Sequence, residues 1–181
     1  MPPPVFVLVC EVIASLVHNT KEAKRAFLTT GGLASVLSFL RVHSGNVTMQ
    51  AAGLAVLLAL SARSVMSIRL MVEAGTHEVV ASALQQFQGD AKIVARATGL
   101  LANMSNVPCV LPALQRCGVL ALAKSLLSQG DPPADGAALS PIAEGAASYQ
   151  ASSPELAPAS PFVRDFVQYL VSNLQEHHGA V

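Results

Sequence analysis

The chain is 181 residues long, 52% apolar and only 12% charged, with 11 basic and 11 acidic side chains and no Trp. That length accommodates one domain or a short repeat array, and the apolar excess fits helices buried on several sides. Residues 1–128 hold ten Lys/Arg against five Asp/Glu, and residues 129–181 hold one against six, so neither half has the dense basic face of a nucleic-acid binder.

Pro2 to Pro4 predict an extended lead-in. The run VFVLVCEVIASLV from Val5 to Val17 predicts a helix reaching about His18. It contains Glu11, is too short to span a bilayer and has no basic segment ahead of it, so neither a membrane span nor a secretion signal is expected. Lys21 to Thr29 predicts a short second helix with Ala23, Ala26 and Phe27 inward, stopped at Gly31-Gly32 where a left-handed cap fits. Leu33, Val36, Leu37 and Leu40 form the stripe of a third helix that ends at Ser44-Gly45. Asn46 then caps a long helix from Val47 to Leu60, apolar on most faces. Ser64 to Glu73 is a shorter helix with Ile68, Met71 and Val72 available for packing.

Val79, Val80, Ala83, Leu84 and Phe87 mark the next stripe, and Asp90 caps a helix through Met104. A shorter segment with Pro108 and Pro112 follows, and Gly118 opens a further helix, GVLALAKSLLSQGD. Between Gly130 and Pro161, 23 of 32 residues are Gly, Pro, Ala or Ser with no apolar period, which predicts a disordered insertion. Ser160-Pro161 begins a last amphipathic helix with Phe162, Phe166, Tyr169, Leu170 and Leu174 on one face, predicted to dock on the unit before the insertion.

Gly32, Gly75 and Gly118 stand 43 residues apart, and Asn46–Ser61 matches Asp90–Ser105 at a spacing of 44. Arg25-Ala26-Phe27-Leu28 before Gly31 corresponds to Arg69-Leu70-Met71-Val72 before Gly75. A helical period of roughly 40 to 47 residues marks armadillo or HEAT-type arrays. The pieces Gly75…Ala83-Leu84…Asp90…Val94 and Ala97…Gly99-Leu100-Leu101-Ala102-Asn103-Met104-Ser105 resemble the armadillo repeat consensus, as does Arg69…Val72-Glu73-Ala74-Gly75. The likeness covers roughly residues 5–128. It implies an all-α, right-handed armadillo-like solenoid of about three repeats. Residues 1–31 would be a partial repeat, 32–74 and 75–117 whole ones, and 118–129 the start of a third. A disordered linker over 130–160 and a C-terminal helix over 161–178 complete the expected order.

In armadillo proteins the third helix of each repeat lines a concave groove, and an Asn near its end holds the backbone of an extended peptide. By that resemblance Asn103 takes the peptide-holding position. Ala59 and Ser15 stand there in the earlier units, and no Trp accompanies them, so the long peptide ladder of nuclear-import adaptors is not expected. Helical spacing adds that Lys92, Arg96, Gly99 and Asn103 fall at i, i+4, i+7 and i+11, on one face. The matching row one repeat earlier is Thr48, Ala52, Ala55 and Ala59, and Glu11 and Ser15 continue it. Together they predict a shallow groove with a basic, amide-bearing patch suited to an acidic or polar segment of a protein partner. Two blander roles compete: Lys92 and Arg96 as the solvated side of an apolar helix, and Asn103 as a satisfied core amide. Asp131, Asp135, Glu144 and Glu155, tethered beside the patch, could also occupy it in cis.

Catalysis is not expected. His18, His43, His77, His177 and His178 are scattered, and no nucleophile motif or phosphate-binding Gly loop occurs. No cofactor and no metal are expected. Cys10, Cys109 and Cys117 fit neither a zinc site nor a redox pair, and are predicted buried and inert in a reducing compartment, cytoplasmic or nuclear. The leading reading is a non-enzymatic protein-interaction scaffold, with no nucleic-acid or membrane partner. One alternative is a regulatory or structural fragment of a longer armadillo-containing polypeptide, for example a kinase-like one. Another is a helical protein that binds an apolar ligand or lipid. Uncovered ends of the array could also pair two chains.

Overall fold

The computed structural model describes residues 3–128 and 159–176, and every regular element among them is a helix. Helix α1 spans Pro3–Asn19, α2 Lys21–Thr29, α3 Gly32–Val42, α4 Val47–Ser61 and α5 Val65–Glu73. Helix α6 spans Thr76–Gln86 and α7 Ala91–Ser105. A 3-10 turn over Pro108–Val110 leads into α8, Leu111–Arg116, and α9 covers Val119–Ser128. The last helix, α10, is Ala159–Glu176. Helix α1 therefore starts inside the proline run instead of after it. A proline in the first turn lacks only an N–H that would have no intrahelical acceptor. The disordered insertion expected over 130–160 lies, up to residue 158, outside the described residues, as do the acidic side chains placed on it.

Local chemistry sets the boundaries. Asn46 Oδ1 accepts from the Met49 N–H at 3.1 Å, Ser64 Oγ from Ser67 at 3.2 Å and Asp90 Oδ1 from Ile93 at 2.8 Å. Each satisfies a donor that the first helical turn leaves open. Before α3, α6 and α9 the chain instead turns through the left-handed region at Gly31, Gly75 and Gly118, with φ of 81°, 77° and 70°. In the first unit the left-handed residue is thus Gly31, and Gly32 begins the helix.

Packing follows two successions. Helix α1 lies along α4, α4 along α7 and α7 along α10, while α3 meets α6 and α6 meets α9. Every residue of α4 from Met49 to Ser61 is buried, which explains a helix without a polar side. In α4 the fully enclosed positions include Gly53, Val56, Leu57 and Leu60. The same positions recur 44 residues later as Ala97, Leu100, Leu101 and Met104 in α7. They appear again in α10 as Val167, Leu170, Val171 and Leu174, all buried. So α10 presents to α7 and α9 the pattern that α7 presents to α4 and α6.

Three expected orientations change. In α2 Ala26 is exposed and Lys24 is buried, because its ammonium donates to the Ala62 carbonyl just past the end of α4. Burial, and Arg63 nearby, hold the Lys24 pKa below its ordinary value. In α10 the inward face runs through Val167, Leu170, Val171 and Leu174, whereas Tyr169 is exposed and donates its hydroxyl to Asn106 Oδ1. Only Cys10 of the three free cysteines is buried; Cys109 is exposed and Cys117 half-buried. Cys109 lies in the short Pro-led turn, where its Sγ accepts from Arg69 Nε at 3.4 Å. Inside α1, burial and Glu11 push the Cys10 thiol up to about 12, so it stays protonated and inert.

Candidate functional site

The row predicted on the long helix lies on α7, but its members differ in availability. Lys92, in the first turn, is exposed. One turn on, Arg96 is half-buried and its Nη1 donates to the Ala51 carbonyl of α4 at 2.7 Å. Burial pulls the Arg96 pKa down, while the carboxylates of Glu11 and Asp90 pull it up. The guanidinium is thus shared between helices, facing the negative side chain of α1 and the cap of its own helix.

Gly99 is buried, and a Cβ on it would sit 3.5 Å from Leu58 Cδ1, an ordinary contact. A hydrogen there therefore leaves room that α4 does not fill. Asn103 is buried, and its Nδ2 donates to Ser61 Oγ of α4 at 2.9 Å. Ser61 in turn donates to the Leu58 carbonyl at 2.8 Å. The Asn103 Nδ2 is thus committed to α4, and the oxygen of such an amide is an acceptor of the kind a ligand backbone N–H needs.

The same link recurs one step along. Asn173 Nδ2 of α10 donates to Ser105 Oγ of α7 at 3.0 Å, as Asn103 does to Ser61. Ser61 and Ser105 close α4 and α7 at a spacing of 44. Sequence reasoning singled out Asn103 and missed Ser61, Ser105 and Asn173. The signal was present in the aligned serines at the two helix ends, but the third member lies beyond the insertion, where the period is broken.

Polar side chains elsewhere serve the helix ends. Gln50 Nε2 donates to the carbonyls of Leu40 at 2.7 Å and His43 at 3.1 Å, and Arg41 Nη2 reaches the Ala74 carbonyl at 3.4 Å. With Lys24 on Ala62, these are donors at C-terminal carbonyls that the helices leave unbonded.

One cluster has metal-ligating residue types. A ring nitrogen of His77, a carboxylate oxygen of Glu78 and Sγ of Cys117 lie within 4.8 Å of one another. His77 Nδ1 is buried without a hydrogen-bond partner. Burial lowers the His77 pKa and Arg116 adds to the lowering, with Glu78 opposing it. His77 and Glu78 sit on the first turn of α6, the positive end of that helix, and Cys117 directly follows α8. Arg116 and the helix dipole both oppose a cation there, while the Glu78 carboxylate favours one.

Among the described residues no single helix is long and apolar enough to cross a membrane. No family model, curated protein or solved structure matches this chain.

Proposed function

We propose that this chain is a non-enzymatic interaction scaffold, an armadillo-like array that binds an extended acidic or polar segment of a partner protein across α7. The observation that carries this reading is the α7 row itself: an exposed ammonium at Lys92, a half-buried guanidinium at Arg96 and an amide at Asn103 whose nitrogen is held by Ser61. A carboxylate suits the first two, and a backbone N–H suits the third. The side-by-side order α1, α4, α7, α10 supports it, because helices stacked in register line one shared surface.

The test is affinity capture with mass spectrometry, comparing the wild type with Lys92→Glu. Lys92 is the member to change, since Arg96 and Asn103 also hold α7 to α4. A protein retained by the wild type and lost by the variant at equal helicity supports the groove. Identical retained sets refute it.

A further inference from the structure

Three residues distant in sequence meet between α6 and the α8–α9 turn. His77 and Glu78 stand in the first turn of α6, and Cys117 follows the last residue of α8. A His77 ring nitrogen, a Glu78 carboxylate oxygen and Cys117 Sγ lie within 4.8 Å of one another. From this geometry we propose that the three side chains bind a thiophilic divalent transition-metal ion, Zn2+ foremost, which clips α6 to the turn between α8 and α9.

Packing alone does not call for these residue types. Gly31, Gly75 and Gly118 are the left-handed turn residues before α3, α6 and α9. Counted from those glycines, the places of His77 and Glu78 are taken by Leu33 and Ala34 before, and that of Cys117 by Ala74. Leu33 is buried, as His77 is. An apolar side chain therefore serves that position in α3, whereas His77 brings a buried Nδ1 that has no hydrogen-bond partner. A buried polar atom in that state is costly, and coordination through that nitrogen removes the cost.

The donor set selects the metal. Thiolate and imidazole suit Zn2+, whereas Mg2+ and Ca2+ take oxygen ligands. Metal–ligand bonds of about 2.0–2.3 Å place tetrahedral ligand atoms roughly 3.3–3.6 Å apart. Glu78 is exposed and Cys117 half-buried, so both can close on the enclosed imidazole by rotation about their own side-chain bonds. Three protein ligands leave the fourth position to water. Arg116 and the N-terminus of α6 oppose a bare cation, but a thiolate and a carboxylate together cancel its two charges. Binding replaces the Cys117 S–H bond with an S–metal bond and releases the proton to solvent. Burial and Glu78 raise the Cys117 pKa while Arg116 lowers it, so Arg116 assists that release.

Co2+ is the probe, because a thiolate bound to it gives a charge-transfer absorption and a four-coordinate site gives strong visible bands. The full chain, stripped with a chelator and desalted, is titrated with Co2+ and then with Zn2+, which binds more tightly and bleaches the bands. The expected result is one Co2+ per chain with a thiolate band. That band is lost in Cys117→Ser and kept in Cys109→Ser. His77→Gln and Glu78→Gln weaken binding by about 10-fold or more, at least the effect of losing an outer-shell partner. Zn2+ at about 100 times its Kd should raise the wild-type Tm by about 5 °C and leave Cys117→Ser unmoved. Circular dichroism of the metal-free proteins checks that all keep the same helicity. No thiolate band, a band that survives Cys117→Ser or vanishes in Cys109→Ser, unchanged affinity in His77→Gln, or a Tm that Zn2+ does not raise would each overturn the assignment.

Discussion

Two glycines at neighbouring positions of the helical stack respond to the same substitution with opposite sign. Gly53 and Gly99 both lie inside long helices and both are buried. Replacing either by Ala removes backbone freedom from the unfolded chain and improves helix propensity, a gain of about 1 kcal/mol. At Gly99 the new methyl would lie 3.5 Å from Leu58 Cδ1 and nothing else within 4 Å, so the gain survives. At Gly53 it would lie 2.5 Å from Leu40 Cδ2, 2.9 Å from Cγ and 3.0 Å from Cδ1. Leu40 is fully buried and cannot swing into solvent. Overpacking of this kind costs about 1–3 kcal/mol, which outweighs the propensity gain. Gly99→Ala should therefore raise stability by about 0.5–1 kcal/mol and Gly53→Ala lower it by about 1 kcal/mol. The gap between them is about 2 kcal/mol, or roughly 4–8 °C in Tm for a chain of this size. Urea denaturation of both proteins reads it directly. Equal effects, or a more stable Gly53→Ala, would show that α3 and α4 do not approach as closely as described.

The docking of α10 is tested by Leu174→Ala, which empties a fully buried site and should cost about 2–4 kcal/mol; a change below about 0.5 kcal/mol would mean α10 does not rest on α7. Asp90→Ala removes the cap of α7 and should cost about 1 kcal/mol in urea denaturation, with Asp90→Asn largely sparing it. His77 and His18 are both held below their ordinary pKa of 6.5, His77 by burial then Arg116, His18 by burial then Lys24 and Arg63. The native state therefore binds protons later than the unfolded chain, so stability is full above pH 6.5 and falls as pH drops below it. His77→Gln should shallow that fall in urea midpoints measured from pH 7.5 to 5; an unchanged slope would place the titration elsewhere.

Helix positions were legible because each boundary carries its own chemistry. Asn46, Asp90 and the left-handed glycines act within a few residues of themselves. The stripe Leu33, Val36, Leu37 and Leu40 is buried for the same reason, since a 3.6-residue period belongs to one helix. Lys24 was not legible. Its burial depends on the Ala62 carbonyl, 38 residues away, needing a donor. Ala26 faces out as the consequence. Likewise Tyr169 shares a sequence face with Leu170 and Leu174 on a coarse reading, yet Asn106 offers it a polar partner at the margin. Of the row on α7, spacing gave the shared face, but it did not reveal that Arg96 and Asn103 are drawn onto Ala51 and Ser61 of α4. Side chains long or polar enough to reach a neighbouring helix answer to that helix, and sequence periodicity is blind to it.

The central claim, recognition of an acidic segment across α7, is tested most directly by fluorescence anisotropy with extended peptides of matched length. One peptide set would be Asp/Glu-rich, one neutral and one Lys/Arg-rich, each titrated with the wild type and with Lys92→Glu. The account predicts that the acidic set binds best, weakens as salt rises and loses its advantage in Lys92→Glu. Equal binding of all three sets, or an acidic preference that survives Lys92→Glu, would contradict it.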